Sequence, residues 1–250
     1  MNDTKIIFLG AGPGDPELLT IRGRRLLAQA DTVVFAGSLV SKAILEFCPQ
    51  AELVDSAPLC LDDIVKIMVK RSREGRHVVR LHSGDPSLYG AIKEQIAKLR
   101  QANVEFEVVP GVSSLSAAAA VLASELTVPE VSQTVIITRA AGRTPVPELE
   151  DIGSLAAHHA TMAIFLSATL VDDVQKKLLT GYAPDTPVAV VHNASRPDQK
   201  IVRTTVENLA ADIATAGIDR TAIIFVGAAL AQEGEESLLY KEGFSHGYRE

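Results

Sequence analysis

Short apolar runs alternate with apolar stripes at helical spacing along the whole chain, and this alternation limits the possible folds more than any single motif. Lys5–Leu9 reads as a buried strand, followed by a glycine-rich turn and a helix near 20–30. Thr32–Phe35 predicts a second strand. Leu61, Ile64, Val65 and Met68 fall on one helix face, with Gly75 placed to end that helix. His77–Leu81 predicts a strand, and Ile92, Ile96 and Leu99 mark a helix. Glu105–Val109 predicts a strand stopped by Pro110-Gly111, and an Ala-rich helix follows near 113–123. Such alternation predicts an α/β unit with a mainly parallel sheet and helices on both faces. Aromatic residues are only 4% of the chain and Trp is absent, so the core rests on Val, Ile, Leu and Ala.

The pattern resets around Glu125–Ser132. Strands are expected again at 134–138, 161–165, 187–191, 201–205 and 222–226, with helices at 170–179 and 206–216. The connection between 191 and 201 is too short for a crossover helix, which predicts an antiparallel hairpin and a mixed second sheet. The expected organisation is two α/β domains, 1–128 and 129–250, within a length of 250 residues.

Charge and cysteine content narrow the partners. Lys plus Arg number 24 against 31 Asp plus Glu, a net charge of −7. An acidic surface repels phosphate backbones, so nucleic acid is not expected as a partner. Locally clustered arginines still suit a small polyanion. No apolar run has the length of a secretory signal core or of a bilayer span. Cys48 and Cys60 are too few for a disulfide framework or a Cys-based metal site. His158-His159 reads as a polar helix end, because adjacent helical residues do not face one point. A cytoplasmic protein with no metal and no membrane partner is the expectation.

Gly10-Ala11-Gly12-Pro13-Gly14-Asp15-Pro16 follows a strand and precedes a helix, as a dinucleotide loop would. The dinucleotide fingerprint requires a third glycine where Asp15 stands. Pro13 and Pro16 also remove amide donors from a loop that should cradle a pyrophosphate. The acid expected after the second strand is replaced by Ala36-Gly37-Ser38. No Gly-Lys-Ser/Thr follows the loop, which excludes a phosphate-binding P-loop. From this segment alone a ligand-free tight turn stays as open as a binding loop.

Four segments taken together carry more information. They are Gly10–Thr20, His82-Ser83-Gly84-Asp85-Pro86-Ser87-Leu88-Tyr89-Gly90, Pro110-Gly111-Val112-Ser113-Ser114, and Thr134–Glu148 with its Arg139-Ala140-Ala141-Gly142-Arg143-Thr144-Pro145-Val146-Pro147 stretch. Their order and spacing resemble the tetrapyrrole methylase family across nearly the whole chain. That resemblance implies an S-adenosylmethionine-dependent C-methyltransferase with two α/β domains and an active site in the cleft between them. The Arg139–Glu148 stretch, with Leu239-Tyr240 and Phe244–Arg249, resembles the branch that methylates carbon 11 of precorrin-4 or cobalt-precorrin-4 in cobalamin synthesis. Ser83 stands where the family has Thr, which keeps the hydroxyl. Ala141 stands where the family has Glu.

The resemblance assigns Pro13, Ser83, Gly84, Asp85, Leu88, Tyr89, Ser113, Ser114, Leu166 and Ala194 to the cofactor. S-adenosylmethionine has no phosphate, so carbonyls, hydroxyls and apolar walls suit it better than a glycine nest. The implied substrate is a polycarboxylate tetrapyrrole, for which Arg139 and Arg143 are the expected ligands and Arg22, Arg24 and Arg25 further candidates. Asp15 and His82 are candidates for proton transfer. The resemblance also implies a homodimer. A different tetrapyrrole substrate, a non-catalytic S-adenosylmethionine-binding protein and a nicotinamide oxidoreductase remain as alternatives.

Overall fold

The computed structural model describes residues 4–231, so Leu239-Tyr240 and Phe244–Arg249 lie outside the described residues. The chain separates into two compact units, Met1–Ala117 and Ala118–Glu250.

In the first unit, strands β1 (Ile6–Gly10), β2 (Thr32–Phe35), β3 (Glu52–Asp55), β4 (Val78–His82) and β5 (Phe106–Val109) alternate with helices. The helices are α1 (Ile21–Ala28), α2 (Lys42–Leu45), α3 (Leu61–Arg73) and α4 (Ile92–Gln101). The strands form one parallel sheet in the order β3-β2-β4-β1-β5. All five residues of β1 are buried because both faces of the sheet are covered. Ile7 and Leu9 pack in the core that holds Leu27 of α1 and Ile44 of α2. Ile6 and Phe8 face the other way, toward Ile64, Val65 and Met68 of α3 and Leu99 of α4.

The α3 stripe follows the expected spacing, and Gly75 adopts φ +77° just past the helix end. Asp62 and Asp63 in the first turn and Lys70, Arg71 and Arg73 in the last complement the helix dipole. β3 and α2 were not evident in the sequence. β3 is a short edge strand with Leu53 exposed, and α2 is a single turn. Neither is long enough to show a period.

Helix α5 (Ser114–Leu122) spans the point where the two units divide. The second unit then contains β6 (Val135–Arg139), α6 (Ile152–Ala156), β7 (Thr161–Phe165), α7 (Val171–Leu178), β8 (Pro187–His192), β9 (Lys200–Thr205), α8 (Leu209–Ala216) and β10 (Ala222–Val226). The sheet order is β6-β7-β10-β8-β9. β6 and β7 are parallel, whereas β10 runs against both β7 and β8, and β8 against β9. The sheet is therefore mixed, and the expected hairpin pairs Pro187 with Thr205 through His192 with Lys200. Ile152, Val174, Leu178, Leu209 and Ile213 cover one face of the sheet. Because β8 runs with β6 and β7, the C-terminal ends of all three strands lie along one sheet edge.

Candidate active site

In the first unit the loops leaving β1, β4 and β5 meet backbone against backbone. Gly12 and Gly84 form an antiparallel bridge, with the Gly84 amide donating to the Gly12 carbonyl at 2.8 Å and the Gly12 amide to the Gly84 carbonyl at 3.2 Å. The Ala11 amide donates to the His82 carbonyl at 2.7 Å. A Cβ on Gly10 would lie 2.6 Å from the Gly111 Cα, and one on Gly111 would lie 2.3 Å from the Gly84 carbonyl oxygen. Only glycine permits this approach at both positions. It brings together the three turns that the sequence had singled out, at the strand ends where open α/β sheets bind ligands.

Asp85 secures the junction. One carboxylate oxygen accepts the Ser87 amide at 2.8 Å and also the Ser87 hydroxyl; the other accepts the Gly111 amide at 2.9 Å. Burial would raise the Asp85 carboxyl, but these hydrogen bonds outweigh it and hold the group below its ordinary range. The carboxylate thus ties two loops together. Gly84 has φ +63°, and a Cβ there would point into space bounded only by the Ser114 amide at 3.5 Å and the Ser113 Cα at 3.9 Å. Among the described residues the Ser83 hydroxyl has no partner, while the Ser113 hydroxyl accepts the Leu115 amide at 3.2 Å. Pro13 is buried, and Leu88 and Tyr89 occupy the end of the β4 loop. These donors and acceptors form no phosphate nest. The room beside Gly84 and the unpartnered Ser83 hydroxyl fit a cofactor that lacks phosphate.

The two proton-transfer candidates are occupied differently. Asp15 caps the short 3-10 turn Pro16–Leu18, accepting the Glu17 amide at 2.9 Å. His82 is buried, and its ring stacks on Phe8 with centroids 5.9 Å apart. Burial, aided by the nearby Arg80 charge, pushes its pKa down to about 3, so the ring stays neutral and is a poor proton acceptor. The Arg80 guanidinium is itself buried and lowered to about 10 by that burial.

In the second unit the loops after β6, β7 and β8 lie along one sheet edge. The buried Ser167 hydroxyl accepts the Ala140 amide at 2.8 Å and donates to the Phe165 carbonyl at 2.6 Å, fastening the β6 loop to the β7 loop. Leu166 sits between these contacts at φ +54° and is 66% exposed, an arrangement costly for a large apolar residue and typical of ligand sites. Ala194 is buried between the left-handed residues Asn193 (φ +48°) and Ser195 (φ +66°). The His192 Nδ1 and Asn193 Oδ1 atoms are buried there without hydrogen-bond partners among the described residues.

The arginines divide into two groups. Arg139 donates to the carbonyls of Ala140 (3.2 Å), Thr144 (3.1 Å) and Pro145 (2.8 Å), so it shapes its own loop. Arg143 is exposed, and among the described residues no acid pairs with it. Arg22 is ion-paired with Glu107, and Arg24 stacks over Phe47 at 4.9 Å. Arg25 is exposed on α1. His159 packs edge-on against Tyr182 at 6.0 Å. Among the described residues no cluster of His, Cys, Asp and Glu could hold a metal, and no helix is long and apolar enough to cross a membrane.

Sequence reasoning missed Ser167, Asn193, Arg80 and Gln95. An Arg within Val78-Val79-Arg80-Leu81 is a readable signal of a buried charge; the other three become visible only through their partners.

The profile of the Tetrapyrrole (Corrin/Porphyrin) Methylases matches residues 5–210. The cobalt-precorrin-4 C(11)-methyltransferase of Methanocaldococcus jannaschii is 51% identical over 251 residues, spanning 99% of this chain and 97% of its own. The X-ray structure of a cobalt precorrin-4 methyltransferase superposes with a TM-score of 0.89 at 50% identity, covering 91% of this chain and 96% of that one. A Thermus thermophilus uroporphyrin-III C-methyltransferase complexed with S-adenosyl homocysteine superposes with a TM-score of 0.78 at 27% identity, covering 91% of this chain and 99% of the other. With its three glycine turns and both sheets accounted for, the chain belongs to the tetrapyrrole methylase family.

Proposed function

We propose that this protein transfers a methyl group from S-adenosylmethionine to carbon 11 of precorrin-4 or cobalt-precorrin-4. The observation that carries the reading is the convergence of the Gly10, Gly84 and Gly111 turns, which leaves room only beside Gly84, in a chain 51% identical over its length to an enzyme named for that reaction. The cofactor supplies a methyl group made electrophilic by its sulfonium. Ser83 and Gly84 on the β4 loop and Ser113 and Ser114 after β5 are proposed to face the cofactor, and Asp85 ties the two segments together through the Gly111 amide. Pro13, Leu88 and Tyr89 complete the proposed cofactor contacts of the first unit. Arg143 offers a fork to a substrate carboxylate, and Arg139 keeps the loop that presents it in shape.

The macrocycle supplies its own electron-rich carbon and the thioether leaves as a neutral group, so alignment and exclusion of water carry most of the rate. Neither His82, neutral with a pKa of about 3, nor Asp85, whose carboxylate accepts the Ser87 and Gly111 amides, is poised as a strong base. We further propose that the protein works in the cytoplasm as a homodimer, a state that light scattering across a concentration series measures. Incubation with S-adenosylmethionine and precorrin-4, cobalt-precorrin-4 or uroporphyrinogen, each separately, tests the reaction. A mass gain of one methyl on a precorrin-4 form supports it. Methylation of uroporphyrinogen alone, or S-adenosylhomocysteine binding without turnover on any of the three, overturns it.

A further inference from the structure

We propose that Arg80 and Gln95 are positioning residues that hold both ends of the cofactor loop 83–91 in register, an inference that rests on the cofactor reading above. Arg80 is 7% exposed and Gln95 4% exposed. Among the described residues Arg80 pairs with no carboxylate. Its Nε donates to Gln95 Oε1 at 3.1 Å, and its Nη1 donates to the Val34 carbonyl at 3.2 Å and to the Ser56 hydroxyl at 3.0 Å. The Ser56 hydroxyl in turn donates to the Phe35 carbonyl at 3.0 Å. A guanidinium buried among neutral acceptors is costly to desolvate, and an apolar side chain would fill a strand position without that penalty. What the guanidinium adds is a rigid fork with fixed directions.

Those directions lead to the loop. Arg80 lies in β4 three residues before Ser83, where the loop begins. Gln95, held by Arg80 through its oxygen, donates its amide to the Ala91 carbonyl at 2.9 Å, where the loop ends. The intervening turn is strained: Tyr89 and Ala91 have φ +56° and +49°. Gly90 comes so close to Pro86 that a Cβ would lie 2.2 Å from the Pro86 carbonyl oxygen. Left-handed residues persist only where the surroundings impose them. The Arg80–Gln95–Ala91 chain is such an imposition, and its hydrogen bonds reach none of Ser83, Gly84, Ser113 or Ser114.

S-adenosylhomocysteine titration calorimetry on the full chain, reading dissociation constant and stoichiometry separately, tests the brace in Gln95→Met and Arg80→Lys. Arg80→Lys keeps the charge and most of the volume but cannot reach all three acceptors, so it serves where Gln95→Met folds poorly. The expected result is a five- to twentyfold weaker constant at unchanged stoichiometry, with the double variant no weaker than the weaker single one, because both act through one chain of contacts. Amide exchange across 86–92 in the unliganded variants should quicken. A purely structural role would lower the stoichiometry and leave the constant alone, which overturns the proposal, as does a constant within twofold of the parent with unchanged exchange. Gly84→Ala run alongside separates the two readings. If it leaves binding unchanged, the cofactor site is wrongly placed and the brace falls with it. If it weakens binding while Gln95→Met and Arg80→Lys do not, the brace alone is wrong.

Discussion

The Asp85 carboxylate accepts the Gly111 amide at 2.9 Å, and this one bond joins the loop after β4 to the turn after β5. Asp85→Ala leaves that amide and the Ser87 amide without their acceptor. The expected loss is about 1–3 kcal/mol of stability, with weaker S-adenosylhomocysteine binding. The contribution depends on pH in a defined direction. The folded-state pKa lies below 3.8, so the bond stabilises fully above that value and is lost as pH falls through the folded value. Thermal melts of Asp85→Asn and the parent should differ at pH 7 and converge as pH falls through the folded-state value, which lies below 3.8.

Gly111→Ala and Gly84→Ala should fail in different ways. The first places a Cβ 2.3 Å from a backbone carbonyl that cannot retreat, and should cost about 3 kcal/mol or more. The second meets nothing closer than 3.5 Å and bears mainly the left-handed backbone, about 1–2 kcal/mol. Its methyl group enters the room beside Gly84, so cofactor affinity should drop further than stability. Melting temperature and calorimetry on both variants check this contrast.

His82 should make the fold acid-sensitive. Its folded pKa of about 3 lies below the ordinary 6.5, so the folded state binds fewer protons than the unfolded one between those values. Stability from this group is complete above pH 6.5 and drains away as pH falls toward 3. His82→Phe, which can still stack on Phe8, should lose less stability between pH 7 and pH 5 than the parent does. Methyl transfer by the variant should stay within about tenfold, because a proton transfer group would be worth a hundredfold or more. A larger loss in a folded variant would restore His82 as a base.

Arg143 and Arg139 should separate substrate binding from loop shape. Arg143→Ala is expected to weaken precorrin binding about ten- to a hundredfold, with cofactor affinity and melting temperature unchanged. Arg143→Lys should recover only part, because the ammonium keeps the charge but not the fork. Arg139→Ala frees three carbonyls and should lower the melting temperature. Substrate titration beside thermal melts distinguishes the two residues.

Most strands were legible because each is buried on both faces, so Ile6–Gly10, Thr161–Phe165 and Ala222–Val226 read as unbroken apolar runs. The hairpin followed from the length of one connection. β3 escaped because an exposed edge strand of four residues carries no clear run. In the site, the glycine turns were legible as motifs, but the reason for Gly10 and Gly111 lies in each other's backbone, far apart in sequence. The same limit hid Gln95, whose partners Arg80 and Ala91 come from a strand and a loop end. The left-handed backbone at Leu166 has no residue signature at all, since leucine is among the last residues one would place there.

The junction of Gly10, Gly84 and Gly111 also decides how such a protein can be re-engineered. A wall built from main chain offers no side chain to exchange, so a library diversified at those positions should return mostly chains that do not fold. The loop 141–148 presents side chains on a frame that Arg139 and Ser167 hold from behind. Diversity placed there should return folded proteins that keep the same methyl donor and differ in the acceptor they accept. In the proposed site, the glycine junction fixes part of donor handling in the backbone, whereas acceptor choice rests on replaceable side chains of the loop 141–148.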